Sequence, residues 1–109
     1  MKSQNHVQLI GYLGSDPIVS KKETAATRAR MRMATQKYSK DDRGATQCAT
    51  TWHTIIVLGK LAETVANNYI KGSHVLVQGE IIYRTYTDAA NIEQSVTEIK
   101  AHQLMNLDR

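Results

Sequence analysis

Short runs of apolar and β-branched residues, several of them alternating with polar ones, recur through most of this 109-residue chain. Runs of this length and composition are typical of β-strands. The clearest is Trp52 to Leu58, which ends at Gly59. Similar runs predict strands at Val7–Leu13, Arg28–Ala34, His74–Tyr86 and Gln94–Leu104, with Ile18–Ser20 as a short extension of the sheet.

One segment changes to a helical period. Leu61, Val65 and Tyr69 lie four residues apart and share one helix face, which predicts a helix over Lys60–Tyr69 with Gly72 as its C-terminal cap. A single helix among the strands of a short chain indicates an all-β barrel with one end plugged by that helix.

Glycine and turn residues separate and bend these strands. Gly11 and Gly79 lie inside predicted strands, where an interior glycine often marks a bulge or a bend at the corner of a small barrel. Polar turns are predicted at Asp16-Pro17, at residues 21–27 and at residues 87–91.

The strand Arg28–Ala34 places three arginines on one face, opposite Ala29, Met31 and Met33. One interpretation is that Arg28, Arg30 and Arg32 only solvate an outer face. Like charges on one face repel each other, however, and no acidic residue separates these three. The other interpretation is a cationic strip that follows a phosphate backbone.

Residues 36–50 have the composition of a polar loop, with Asp41, Asp42 and Gly44 predicted at its tip. Tyr38 stands near the base of this loop between Lys37 and Lys40. An aromatic ring between cations is typical of a base-stacking site, although a tyrosine packed under its own loop is the alternative.

Charge and cysteine content narrow the classes of function. The chain has a net charge of +4 and a pI near 9.3. Residues 21–43 hold eight basic and three acidic side chains, so the positive charge is concentrated there. The single Cys48 allows no intrachain disulfide or cysteine-based zinc site, which fits a reducing compartment. We expect a cytoplasmic protein, because no signal peptide or segment of membrane-spanning length is present.

The residues predict binding rather than catalysis. The four histidines are scattered without metal-ligand spacing, so neither an enzyme, a metal site nor a cofactor is expected. Tyr38, Trp52 and Tyr86 could stack on bases, and Arg84 shares a strand face with Tyr86. Trp52 could instead belong to the core, as large aromatic residues often do.

Four segments carry a resemblance to a known family: HVQLIGYLGSDP near the N-terminus, TTWHTIIVLGKLAE and NNYIKGSHVLVQG in the middle, and GEIIYRTYT after them. In this order they resemble the bacterial single-stranded-DNA-binding protein family. The resemblance implies an oligonucleotide-binding (OB) fold, a five-stranded Greek-key barrel with one short helix. Residues 1–107 would form this single domain, and residues 108–109 would be a C-terminal end without a tail domain.

The resemblance also assigns roles to individual residues. Trp52 and Tyr86 match stacking positions, and Tyr38 lies at or one residue from a third. Leu58 stands where many members carry a stacking phenylalanine, which implies weaker stacking there. Basic positions of the DNA-contacting surface match Arg84, Lys60 and Lys71.

Assembly and partners are implied in the same way. His53 matches a position at the subunit interface of a homotetramer, so a homotetramer is expected, with a dimer as the alternative. From sequence alone, His53 could equally be an ordinary, partly buried strand histidine. Family members generally continue into an acidic tail that recruits replication and repair proteins. The sequence given stops at Leu107-Asp108-Arg109, so tail-dependent partners are not expected. Two interpretations stay open: a phage, mobile-element or paralogous version with a narrower role, or a shortened form of a longer chain.

Two functions follow as hypotheses. The first is sequence-independent binding of single-stranded DNA, which coats and protects it in replication, recombination and repair. The second is an OB-fold replication accessory module, of primosomal or mobile-element type, that mainly binds another protein and has secondary affinity for DNA.

Overall fold

The computed structural model describes residues 3–21 and 26–108. The central part of the turn predicted at residues 21–27, including Lys22 and Glu23, lies outside them, as do Met1, Lys2 and Arg109. In chain order, the elements are β1 (Val7–Leu13), β2 (Ile18–Ser20), β3 (Arg28–Lys40), β4 (Thr46–Leu58), α1 (Lys60–Asn68), β5 (His74–Thr87) and β6 (Glu93–Asn106).

Five long strands close into a barrel. The strand order is β1-β5-β6-β4-β3-β2, and an additional pairing of β1 with β3 closes the ring. All pairings are antiparallel except the short parallel pairing of β4 with β6 at Ile55 and Ile99. The short β2 pairs only with β3. This confirms the all-β, five-stranded OB-fold barrel with one short helix.

The barrel interior is filled by aliphatic side chains and methionines. The alternation in β3 is confirmed, because Ala29, Met31 and Met33 are buried whereas Arg30 and Arg32 are exposed. The chain contains no phenylalanine, and flexible methionine side chains fill part of the core instead. The fully buried large side chains are Met31, Met33, Ile55, Val57, Val65, Val75 and Val77.

The helix plugs the barrel as predicted, but it ends differently. Ala62, Val65 and Tyr69 are buried against the core, yet Tyr69 has extended backbone and caps a helix that stops at Asn68. The prediction of Gly72 as the helix cap was therefore wrong. Gly72, at φ 89°, belongs to the following turn, in which Ser73 N donates to Ile70 O at 3.0 Å. The extended backbone at Tyr69 turns its ring into the core.

The segment at residues 36–50 was predicted as a loop and is a two-stranded ribbon instead. β3 and β4 stay paired in register up to Lys40 and Thr46. The tip is only Asp41–Ala45, where a carboxylate oxygen of Asp41 accepts from the backbone N–H groups of Arg43 and Ala45, each at 2.9 Å. Both faces of this ribbon, the β3–β4 arm, are exposed beyond the barrel, so no apolar period marks its strands.

The interior glycines lie where strands approach closely. A Cβ at Gly11 would collide with the carbonyl oxygen of Ala34, where β1 meets β3 and the barrel closes. Gly79 lies at a register shift between β5 and β6, and a Cβ there would lie 2.9 Å from Ala101 Cα. The register shift confirms the predicted irregularity at Gly79. At Gly11 the register is continuous, so a bend there stays a prediction. In the part of the chain that the structure describes, no helix has the length and apolar character needed to cross a membrane.

Candidate nucleic-acid interface

The outer face of β3 and β4 brings together the arginine strip and Trp52. Residues directly opposite on paired strands point to the same side of a sheet. The pairs on this face are Arg28 with Leu58, Arg30 with Ile56, Arg32 with Thr54, and Ala34 with Trp52. The cations and the single tryptophan therefore share one surface.

Trp52 is not a core residue, because half of its surface (50%) is exposed. Its indole ring extends across β3 toward Gly14, where a Cβ would lie 2.6 Å from Trp52 Cη2. The Arg32 guanidinium carbon lies 5.7 Å from the ring centroid, within the range of a cation–π contact. Gly14 is also hydrogen-bonded to Arg32, through its N–H and the Arg32 carbonyl at 2.9 Å. Arg32 and Gly14 thus hold the ring on the surface.

A depression of about 370 Å³ lies where β3 and β4 meet the upper part of the β5–β6 hairpin. Four of the predicted site residues line it, although they come from two distant parts of the sequence: Arg28, Arg30, Arg84 and Tyr86. Three guanidinium groups beside an exposed tyrosine ring provide cations for phosphates and a face for a base.

Glu98 lies at the edge of this depression and was not predicted. Its carboxylate accepts two hydrogen bonds from Arg84, from Nε at 3.2 Å and from Nη2 at 3.1 Å. The hydrogen bonds and the negative charge of Glu98 raise the pKa of Arg84. Glu98 is only 4% exposed, whereas the Arg84 side chain is half exposed, so the ion pair fixes the direction of a guanidinium that still faces solvent. A single glutamate in a strand gives no local signal for this role.

The β3–β4 arm extends the same outer face. Tyr38 is exposed, lies opposite Cys48, and donates from its hydroxyl to Gln36 Oε1 at 3.1 Å. Repulsion by the negative charge of the Cys48 thiolate, and a hydrogen bond with the Cys48 side chain, raise the pKa of Tyr38. Lys40 has the same strand parity as Tyr38, whereas Lys37 points to the opposite face of the arm.

A further aromatic pair, which the sequence analysis missed, adjoins Trp52. Tyr12 pairs with Ala34 on one side and with His74 on the other. Its ring stacks on His74, with centroids 4.5 Å apart and planes inclined by 12°. Since Ala34 also pairs with Trp52, a row runs across four strands through His74, Tyr12, Ala34 and Trp52. The outward parity of Tyr12 in β1, between inward Gly11 and Leu13, was the signal available in the sequence.

The remaining predicted residues lie away from the depression. Lys60 is the exposed first residue of α1, and Lys71 is exposed in the turn before β5, where its N–H donates to Asp16 Oδ1 at 2.8 Å. His53 points to the face opposite Trp52, 2.9 Å from Thr35 Oγ1 through its Nε2, and burial lowers its pKa. Leu58 is exposed at the end of β4.

Metal coordination has no visible basis in residues 3–21 and 26–108. No group of three or more histidine, cysteine, aspartate or glutamate side chains within this part is arranged to hold a metal ion.

Comparison with known proteins gives a consistent result. The model of the single-strand binding protein family matches residues 4–107. A single-stranded DNA-binding protein of Xanthomonas campestris pv. campestris is 36% identical over 103 residues, which are 94% of this chain and 60% of that protein. Single-stranded DNA-binding protein 1 of Xylella fastidiosa is 34% identical over 110 residues, covering 100% of this chain and 81% of its own length. The chain thus spans about 60% of the length of the Xanthomonas relative.

Solved structures agree. The Plasmodium falciparum SSB in its complex with single-stranded DNA superimposes with a TM-score of 0.90 at 26% identity, covering 99% of this chain and 98% of that one. A deletion mutant of the single-stranded DNA binding protein from Thermus aquaticus, 24% identical, shares the fold with a TM-score of 0.83 over 96% of this chain and 51% of its own. The match to the family model, extending over nearly the whole barrel, shows that this chain belongs to the single-strand binding protein family.

Proposed function

We propose that this chain binds single-stranded DNA without sequence preference, and that it coats and protects the strand during replication, recombination and repair in the cytoplasm. The observation that carries the proposal is the outward, half-exposed Trp52 on the same sheet face as three arginines. The protein performs no chemical step in this role, since stacking and phosphate contacts are sufficient for binding.

Binding combines two kinds of interaction, base stacking and phosphate contacts. Every base offers a flat face, so exposed rings bind any sequence, at about 1–3 kcal/mol per stacked base. Trp52, Tyr86 and Tyr38 supply such faces. Guanidinium groups such as Arg30 and Arg84 neutralise phosphates and release counterions, which makes binding depend on salt. Neither interaction reads base edges, so the binding has no sequence preference.

The relatives support the choice of ligand. The Xanthomonas and Xylella proteins are named as single-stranded DNA-binding proteins, and the Plasmodium protein is in complex with single-stranded DNA. Outside the depression, phosphate contacts are assigned to Lys60 and Lys71 by the resemblance to the family, and to Lys37 because it adjoins Tyr38 in the sequence.

Self-association is part of the proposal. A row of apolar side chains crosses the outer face of β1, β5 and β6, because Ile10 pairs with Leu76 and Leu76 pairs with Met105. Ile10 and Met105 are each about half exposed, at 50% and 51%. Contiguous exposed apolar side chains of this kind favour association with another protein surface. We propose a homotetramer built on this face, and the place of His53 in it stays a prediction.

The test is a titration of Trp52 fluorescence with oligo-dT at several salt concentrations. Trp52 is the only tryptophan, so stacking should quench the whole signal. On a plot of log affinity against log salt, Arg30→Ala should flatten the slope by about 0.7, the value for one phosphate contact on a single strand. Trp52→Ala, followed by anisotropy of labelled oligo-dT, should lower the affinity at every salt concentration without changing the slope. Absence of any binding by the wild-type chain would overturn the proposal.

A further inference from the structure

A second groove, of about 310 Å³, lies on the outer face where β1, β3 and β5 meet. This volume is at the lower end of the range of about 300–1,000 Å³ for small-ligand sites. Gly11 and Ala34 line it with minimal side chains, and Tyr12 and Tyr38 line it with aromatic rings. All of its described lining residues are neutral or histidine, so no carboxylate there repels a phosphate backbone.

Tyr12 is held in a fixed orientation while about half of the residue's surface stays accessible. His74 covers one face at a centroid distance of 4.5 Å, with nearly parallel planes. Tyr12 is nevertheless 53% exposed, so the exposure belongs to its other face and its edge. A ring already fixed by a neighbour loses little conformational entropy when a ligand stacks on it.

We propose that this groove is a base-binding subsite, which takes one unpaired nucleobase stacked on the free face of Tyr12. Tyr38 supplies the second aromatic wall. Gln36 Oε1 accepts a hydrogen bond from the Tyr38 hydroxyl, which leaves the Gln36 amide N–H groups to donate to the edge of the base. The inference rests on the proposed function and adds Tyr12, with the groove around it, to the Trp52, Tyr86 and Tyr38 rings named there.

The subsite continues the surface that carries Trp52. His74, Tyr12, Ala34 and Trp52 are cross-strand neighbours in one row, so the outer positions are three strand spacings apart, about 14 Å. The small Ala34 leaves the surface open between Tyr12 and Trp52. One strand of nucleic acid lying along this row contacts both rings.

The first test compares Tyr12→Ala with Tyr83→Ala in binding to labelled oligo-dT, measured by fluorescence anisotropy. Tyr83 is a matched control, since it is 74% exposed on the face of the β5–β6 hairpin opposite Tyr86. We expect Tyr12→Ala to weaken binding about 5- to 150-fold, the equivalent of about 1–3 kcal/mol for a stacked base. Tyr83→Ala should bind as the wild type does.

Failure of this inference is distinct from failure of the proposed function. If Trp52→Ala weakens binding and Tyr12→Ala does not, the subsite is wrong and DNA binding stands. If the wild-type chain does not bind oligo-dT, the proposed function itself fails. Ile10 lines this groove and also belongs to the apolar row across β1, β5 and β6 on which the homotetramer is proposed. Light scattering must therefore show whether Tyr12→Ala keeps the wild-type oligomeric state.

A second measurement uses the unmodified protein and decides the case in which Tyr12→Ala alters assembly. An oligonucleotide with 5-iodouracil is irradiated in the complex, and cross-linked tryptic peptides are identified by mass spectrometry. A cross-link at Tyr12, in the peptide of residues 3–21, supports the subsite. The opposite result is cross-linking at Trp52, in the peptide of residues 44–60, without any at Tyr12. It would show that the DNA is bound but that no base occupies the groove, and it would overturn the proposal.

Discussion

Replacing Gly14 by alanine should displace the Trp52 ring without disturbing the fold. The backbone of Gly14 does not have the positive φ that favours glycine. Alanine can also keep the hydrogen bond that the Gly14 N–H donates to the Arg32 carbonyl. The added Cβ, however, would lie 2.6 Å from Trp52 Cη2. Non-bonded carbons pack at about 3.5–4.0 Å, so the ring must move by roughly 1 Å or rotate away.

The size of the effect on binding follows from what the ring does in place. Complete loss of the Trp52 platform costs about 1–3 kcal/mol of base stacking. A displaced ring can still stack partly on a base, but it loses its contact with the Arg32 guanidinium, whose carbon lies 5.7 Å from the ring centroid in the wild type. We therefore expect Gly14→Ala to weaken oligo-dT binding about tenfold, equivalent to about 1.4 kcal/mol. The emission of Trp52 should shift in the free protein, because the exposure of the ring changes.

A double-mutant cycle isolates the mechanism. If Gly14 acts through the ring, Gly14→Ala should have no further effect on binding in a chain that already carries Trp52→Ala. Ser15→Ala, at the neighbouring exposed position, serves as the control and should bind normally. Equal weakening in both backgrounds, or unchanged emission together with unchanged affinity, would refute the steric argument.

Three further predictions concern stability. Arg84→Ala should lower the melting temperature by several degrees, because it leaves the buried Glu98 carboxylate without its partner. Glu98→Gln should lower it by less, because water can solvate the half-exposed Arg84 guanidinium. The lowered pKa of His53 means that the unfolded chain binds a proton more readily, so melting temperature should decrease as pH falls below about 6.5, and His53→Gln should reduce this decrease. Met33→Ala, fully buried, should cost about 2–5 kcal/mol in urea unfolding, whereas Gln36→Ala on the arm should stay within about 0.5 kcal/mol.

The barrel was predictable because its strands, where they enclose the core, are either alternately buried and exposed, as in β3, or apolar without interruption, as at the end of β4. In β3, this difference appears as arginine alternating with alanine or methionine, from Arg28 to Met33. The helix was predictable for the same reason, with Val65 and Tyr69 on its buried face. Its end was not, because Tyr69 is apolar enough to continue a helical period and equally able to turn into the core from an extended backbone.

The β3–β4 arm could not be predicted from hydrophobic pattern. Both faces of its strands, Gln36–Lys40 and Thr46–Thr50, are exposed to solvent. Polar residues therefore occupy odd and even positions alike, and the sequence resembles that of a loop. What holds them is backbone pairing in continuous register, and the turn at Asp41 that fixes this register. Backbone hydrogen bonds leave little trace in side-chain composition.

Several residues of the candidate surface were predictable one by one, but their arrangement was not. Sequence parity placed the arginine strip on an outer face and grouped Arg84 with Tyr86, but only the strand register places these two beside Arg28 and Arg30. Glu98, fourteen residues from Arg84, was missed for the same reason.

Register also explains why the aromatic row depends on the smallest residues near it. Ala34 pairs with both Tyr12 and Trp52, so a larger side chain there would stand between the two rings and divide the surface. Gly14 likewise leaves room for the indole to cross β3 rather than stand away from the sheet. The rings alone therefore do not define the surface. It exists because a glycine and an alanine occupy the positions over which flat groups lie, so these two small residues are as much a part of the proposed binding surface as the tyrosine and the tryptophan.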